Sequence, residues 1–206
     1  MQLRRKYYDF FSKFYDKFIQ FHSRDKNEKL REFLAQKTGI NNHTKVLDLC
    51  CGTGSNFIHF KKYAPLGFFV GIDFSFGMLL EAKKKFSEAI LILGDVEFLP
   101  FKDNTFDVLT YTYAFYELKG EKVHNTLVEI NRVLKPNGKL FIMEHEIPEN
   151  NFIKILYYIR LATMGLKKAR TILSHEEDLL KQYFSDVKKI TTLSRRSKII
   201  ICQKRC

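Results

Sequence analysis

The stretch Lys45 to Gly54, reading KVLDLCCGTG, constrains this chain more than any other. Val46, Leu47 and Leu49 form a short apolar run interrupted only by Asp48. The run passes at once into Cys50-Cys51-Gly52-Thr53-Gly54 and then into a helix-like segment from Ser55. A buried strand that ends in a glycine-rich turn before a helix makes a ligand cradle in open α/β sheets. Glycines let the ligand approach the backbone, and the helix N-terminus presents unpaired N–H groups to it. Such a crevice lies outside the carboxyl ends of parallel strands. A dinucleotide-binding turn would read G-x-G-x-x-G, whereas here the third glycine position falls on Phe57.

Around this stretch, apolar runs alternate with amphipathic ones, the pattern of a parallel sheet with crossover helices. Strands are expected at Lys45–Leu49, Phe68–Ile72, Ile90–Leu93, Phe106–Tyr111 and Lys139–Glu144, and helices at Ser55–Tyr63, Ser75–Phe86 and Glu121–Leu134. Pro136-Asn137-Gly138 reads as a turn into the fifth strand. Residues 4 to about 37 read as helices. Tyr7, Phe10, Phe11, Phe14, Phe18 and Phe21 follow the spacing of one helical face, and a second helix, Asp25–Lys37, is stopped by Gly39. That first face could pack on the domain edge, serve a lid over the cradle, or meet a membrane. Phe152–Leu166 reads as a dense apolar helix with Lys167, Lys168 and Arg170 around its end. Ser174-His175-Glu176-Glu177 has capping-box spacing and opens a helix that ends near Phe184. Asp186–Leu193 and Lys198–Gln203 read as paired strands joined around Ser194 to Ser197, adding an antiparallel edge.

The expected architecture is therefore α/β, a doubly wound, Rossmann-like, seven-stranded sheet, mostly parallel with an antiparallel last strand. It forms one domain over residues 1–206. A helical lid takes 1–40, a cofactor-binding core 44–145, a helical insert 147–185 and a strand hairpin 186–206. A chain of 206 residues suits one such core. The net charge of +12 predicts attraction to something anionic, set against a lysine-rich surface kept for solubility. Cys50, Cys51, Cys202 and Cys206 show no zinc-ligand spacing, so no metal is expected and all four are expected to be reduced. Neither a signal peptide nor a membrane span is read, which implies a cytoplasmic protein.

Acids stand where the expected strands end: Asp48 in the first, Asp73 after the second in GIDFS, and Asp95 after the third in GDVEFLPF. A carboxylate at the second position can accept hydrogen bonds from ribose hydroxyls. The string VLDLCCGTG resembles the first motif of the class I S-adenosylmethionine-dependent methyltransferases, which usually has glycine where Cys50 stands. GIDFSFGMLLEAKKK, GDVEFLPFKDNTFDVLTYTYAFYEL and EINRVLKPNGKLFIMEH are similar to successive blocks of the ubiquinone/menaquinone-biosynthesis methyltransferase group, over about residues 44 to 145. Tyr8-Asp9 and Tyr15-Asp16 resemble that group's two aromatic–Asp steps. The resemblance implies S-adenosyl-L-methionine as cofactor. It would be held by Tyr15, Asp48, Cys50, Gly52, Gly54, Asp73, Phe74, Met78, Asp95 and Val96, with Asp95 toward the adenine amino group and Asp48 toward the methionine end.

Methyl transfer needs little acid–base machinery, since positioning supplies most of the acceleration. A carbon or oxygen nucleophile would still need a proton removed. Tyr113 at the end of the fourth strand, and Glu144 and His145 at the end of the fifth, are the candidates facing the methyl group. His145 could equally cap a loop. The expected acceptor is small and hydrophobic or lipid-like, a quinone precursor or a phospholipid headgroup, with peripheral contact to an anionic membrane. An RNA methyltransferase and a non-catalytic cofactor-binding module are the alternatives. No Asn-Pro-Pro-Tyr motif follows the fourth strand, which argues against DNA-adenine methylation.

Overall fold

The computed structural model describes residues 2–22, 29–118, 120–147, 150, 152, 154, 155, 158, 159, 169–192 and 197–205. Helices α1 (Gln2–His22) and α2 (Lys29–Thr38) precede the cradle strand β1 (Lys45–Leu49). Then follow α3 (Ser55–Tyr63), β2 (Phe68–Asp73), α4 (Phe76–Lys85), β3 (Ile90–Leu93), β4 (Phe106–Thr112), a short 3-10 turn (Phe115–Glu117), α5 (Glu121–Val133), β5 (Leu134–His145), α6 (Ala169–Leu180), β6 (Phe184–Thr191) and β7 (Ser197–Lys204). The seven strands lie in the order β3-β2-β1-β4-β5-β7-β6. The first five are mutually parallel, and β7 runs antiparallel to both β5 and β6. This is the expected mostly parallel sheet with an antiparallel last strand.

Consecutive apolar residues of a central strand point to opposite faces, so a continuous apolar run buries both. Leu47 and Leu49 join one core with Leu127, Ile130 and Val133 of α5 and Leu180 of α6. Val46 joins the other with Leu34 of α2, Phe57 and Phe60 of α3 and Leu79 of α4. Phe57, at the absent third glycine position, lies under β2, and it is Gly71 that makes room. A Cβ on Gly71 would stand 2.7 Å from Cys51 Sγ and 2.9 Å from the Phe57 ring.

Several expectations need correction. Pro136-Asn137-Gly138 does not precede β5 but bulges within it. Leu134 pairs with Phe106 and Lys139 with Val108, and Asn137 takes the left-handed backbone (φ 64°) that such a bulge requires. Helical backbone is already present from Ala169, ahead of the capping-box spacing, and it breaks at His175 (φ −129°, ψ 18°), so that a second helical segment follows that spacing as expected. The helix ends at Leu180, and Phe184 begins β6. Most of the apolar stretch Phe152–Leu166, with Lys167 and Lys168, lies outside the described residues. So do the start expected at Asp25, the turn around Ser194 and Cys206.

The aromatic periodicity of α1 does not mark its docked face. Tyr7, Phe10 and Phe14 are exposed. The helix is held by its polar side instead. Asp9 Oδ1 accepts from Gly77 N at 2.9 Å and from Ser75 Oγ at 2.6 Å, so it caps α4 from outside. Asp16 accepts from Thr53 Oγ1 at 2.6 Å and pairs with Lys85, while Tyr8 and Arg4 reach Glu117. These anchors follow β2, β1 and β4, so α1 crosses the carboxyl ends of three strands.

Close approach depends on Gly77, where a Cβ would meet Asp9 O at 2.6 Å and Ser12 Oγ at 2.9 Å. Gly77→Ala is expected to lift α1 and cost about 1 kcal/mol, the scale of a helix cap. Amide hydrogen exchange should then accelerate in residues 4–17 while β1, β2 and β4 keep their protection. Unchanged protection of α1 would show that this contact does not hold it.

Candidate active site

The cradle turn is shaped by left-handed backbone at Cys50 (φ 52°), Gly52 (φ 55°) and Gly54 (φ 74°). Glycine takes this conformation without penalty, but at Cys50 a side chain adopts it, a strain of about 1–2 kcal/mol. Cys50 is half-buried and packs against the core, with Sγ donating toward Tyr111 Oη at 3.4 Å, and burial pushes its pKa up. A Cβ on Gly52 would meet nothing within 4 Å, so the turn opens into free space there. Gly54 closes the turn. Its amide donates to Cys51 O at 2.9 Å, and a Cβ would press on Ala82 and Phe57 at 3.2 Å.

Asp73 faces this turn from the end of β2. Oδ2 accepts from Gly52 N and Oδ1 from Ser75 N, each at 2.9 Å. It is almost fully buried, with no cation in ion-pair range among the described residues. Burial pushes its carboxyl up to about 6, against the pull of those N–H groups. Asp48 is wholly buried and occupied by the protein itself. Thr110 Oγ1 donates at 2.7 Å and Asn56 Nδ2 at 3.0 and 3.1 Å, and burial again pushes the carboxyl up to about 6. Arg31 of α2 donates to Asn56 Oδ1 at 2.8 Å, which fixes the amide that serves Asp48. Asp95, half-buried beyond β3, accepts from Glu97 N at 3.2 Å and lies 3.7 Å from Lys122 Nζ.

The other expected cofactor residues line or support the same region. Tyr15 is half-buried, with its phenol pKa raised by burial and by the negative charge of Asp73 and Asp16. Tyr8, whose hydroxyl burial pushes up to about 12, sets its ring edge-on to Phe74 at 5.6 Å. Met78 is buried and its amide donates to the cap residue Ser75 at 3.2 Å. Val96 is buried in the core beneath the loop. Asp9 and Asp16 were legible only as parts of aromatic–Asp steps. Their seven-residue spacing, which places both on one helical face, was the signal for their shared anchoring role.

The three candidates at the ends of β4 and β5 divide. Tyr113 and His145 lie ring to ring, centroids 4.7 Å apart, with Tyr116 6.0 Å from His145. Tyr113 also has a left-handed backbone (φ 54°), and its hydroxyl lies 2.9 Å from Ser197 Oγ, a contact the sequence did not suggest. Glu144, next along β5, points to the opposite face and is fully buried. Its Oε1 accepts from Phe115 N at 2.9 Å, and Oε2 has no well-formed hydrogen bond among the described residues. Burial pushes the carboxyl up to about 8, opposed by the N–H groups of Phe115, Tyr116 and His145 and by the charge of Lys198.

A strand, a left-handed glycine turn, a helix and a strand-end acid on an order 3-2-1-4-5-7-6 define a Rossmann-like α/β fold with a cradle at the carboxyl ends of its parallel strands. Residues 47–142 match the family model of the methyltransferase domain. The chain is similar in sequence to the class I S-adenosylmethionine-dependent methyltransferases. Within that class it is related to the menaquinone-biosynthesis methyltransferases. It is 36% identical over 150 residues to the demethylmenaquinone methyltransferase of Staphylococcus aureus (strain JH9), an alignment covering 71% of this chain and 61% of that protein. The chain thus matches about three fifths of the length of that relative. In fold it resembles a chain of the Haloferax volcanii complex containing the Trm112 methyltransferase activator, with a TM-score of 0.71, 16% identity and coverage of 97% and 98%. It also resembles the YcgJ protein of Bacillus subtilis, with a TM-score of 0.58, 18% identity and coverage of 85% and 98%.

The environment of Glu144 has a consequence for pH. Its folded pKa of about 8 lies above the unfolded value of about 4.3, so the unfolded state releases the proton first. Its contribution to stability is full below about pH 4.3 and is lost as pH rises through about 8. Glu144→Gln, neutral throughout, should match the parent at pH 4 and exceed it at pH 8 by on the order of a few kcal/mol. Urea unfolding at the two pH values measures this. Parallel pH profiles would mean that Glu144 is charged in the fold.

Proposed function

We propose that this chain transfers a methyl group from S-adenosylmethionine to a small hydrophobic acceptor of the quinone-precursor kind. The observation that carries the reading is the buried Asp73 carboxylate, held by Gly52 N and Ser75 N beside an open glycine turn. Those residues fit the cofactor. Each Asp73 oxygen keeps a lone pair beyond its backbone bond for a ribose hydroxyl, and the unfilled space at Gly52 admits a ligand against the backbone. Although the protein is strongly basic overall, Asp9, Asp16, Asp48 and Asp73 gather here, a field that favours a ligand bearing ammonium and sulfonium charge.

The cofactor, when bound, supplies a methyl group already activated by positive sulfur. The protein's task is then to bind, orient and exclude water. Gly52, Gly54 and Asp73 would hold the nucleoside, Asp95 with Val96 the adenine end, and Phe74 and Met78 the wall between them. Helix α1 would cover the cradle, with Tyr15 as the side chain nearest the ligand. Tyr113, Tyr116 and His145 offer an aromatic acceptor wall at the ends of β4 and β5. His145 would take a proton from an acidic hydroxyl or carbon, while Glu144, on the other face, would shape the wall without touching the acceptor. The quinone-like acceptor is favoured by the demethylmenaquinone methyltransferase relative and by this aromatic lining.

Transfer of labelled methyl to quinol, phospholipid, amine and RNA fractions tests the acceptor class, with label expected in the quinol fraction. Label confined to RNA, or absent from every fraction, would refute it. Calorimetry tests the cofactor site. Asp73→Asn should weaken S-adenosylmethionine binding by about 1.5–3 kcal/mol, the scale of hydrogen bonds to a charged group. Unchanged affinity would remove Asp73 from the ribose role. Tyr15→Ala should lower turnover while the sheet stays folded by circular dichroism.

A further inference from the structure

Helix α1 has two faces of different chemistry. Its inner face carries Tyr8, Asp9, Ser12, Tyr15 and Asp16, and the bonds of Asp9 and Asp16 commit it to the cradle. Its outer face carries Tyr7, Phe10 and Phe14 in register along the helix, 58%, 77% and 56% exposed. Beside that stripe Lys6, Lys13 and Lys17 form an exposed row one step around the helix. Both acids in residues 4–17 lie on the inner face, so the outer one presents only aromatic and positive groups. Large exposed apolar rings are costly in water and usually mark an interaction site.

We propose that the outer face of α1 docks on an anionic phospholipid surface. Aromatic rings flanked by lysines are what a helix lying in the plane of the headgroups needs. The rings enter the acyl boundary and the ammonium groups stay over the phosphates. Charge complementarity singles out this occupant, because the lysine row and the net charge of +12 attract an anionic sheet. A second set of exposed side chains, Phe152, Ile155 and Ile159, repeats the same spacing around Lys154. No helix among the described residues is long and apolar enough to cross a membrane, so the contact is peripheral. The inference rests on the methyl-transfer reading for its meaning. A helix that covers the cofactor on one side and lies on lipid on the other would bring a lipid-dissolved acceptor to the ends of β4 and β5.

Sedimentation with phosphatidylglycerol vesicles and with phosphatidylcholine vesicles tests it without any methyl acceptor, so failure here and failure of the catalytic reading are separable. The protein should pellet with phosphatidylglycerol, less with phosphatidylcholine, and binding should fall as salt rises. Lys13→Glu with Lys17→Glu should weaken binding at least about fivefold per lysine at low salt. Phe10→Ser with Phe14→Ser should remove the part that survives high salt. All these variants lie on the outer face and should keep the parental affinity for S-adenosylmethionine by calorimetry, which also shows that they fold. Protein left in the supernatant with phosphatidylglycerol at low salt would overturn the proposal. So would ring variants that bind as the parent does while the lysine variants do not, since that describes a polyanion surface such as RNA.

Discussion

Two backbone amides converge on the Asp73 carboxylate, one from the turn after β1 and one from the approach to α4. That arrangement sets the spacing between the two parallel strand ends where a ligand would sit. It also explains the neighbouring sequence. Gly52 must turn its N–H back toward β2, which requires left-handed backbone, and Ser75 must leave the strand extended to cap α4 through its own hydroxyl. A carboxylate that accepts two N–H bonds is held against burial that would otherwise neutralise it. Removing one partner would leave a buried charge or a buried amide unsatisfied, so the three residues act as a unit.

Helix α1 extends that unit outward. Asp9 takes the amide of Gly77 and the hydroxyl of Ser75, the same serine whose amide Asp73 holds. Asp16 takes the hydroxyl of Thr53, one residue beyond Gly52. The helix is therefore bonded to both halves of the cradle and to Glu117 beyond β4, and each of these bonds is polar. Polar anchors of this kind hold less tightly than a packed apolar face, so on the proposed lid reading α1 would open without disturbing the sheet.

Much of the central sheet was legible because alternation and apolar runs report burial directly. The bounds of β1, β3 and α3 fall where the sequence puts them, and β2, β4 and α5 differ by a residue at one end. The docked face of α1 was not legible. Hydrophobic periodicity marks the side of a helix with most apolar surface, and here the side chains that hold it are aspartates whose partners lie far along the chain. The bulge in β5 was hidden for a related reason. Pro136-Asn137-Gly138 signals a turn, but only the pairing of Leu134 with Phe106 shows that the strand exists on both sides of it. In the cradle, the glycines and Asp73 stood out as residue types, whereas the strain at Cys50 and Tyr113 and the contact between Tyr113 and Ser197 depend on backbone angles and on β7.

The charge distribution differs between the surface and the cradle. A net charge of +12 is a long-range property, and at physiological salt its reach is roughly 8 Å from the surface. It can collect the protein at an anionic surface but cannot select a ligand in a pocket. On the proposed reading selection would fall to the buried acids, where low dielectric makes each charge count for more and screening is weak. Asp48 and Asp73 have pKa values near 6 because burial is only partly offset by their hydrogen bonds. A cation entering the cradle would complete that compensation, drawing both acids further into the charged form. The basic exterior and the acidic interior therefore do not cancel. On the proposed reading they act at different distances, one on where the molecule would reside and the other on what it would hold.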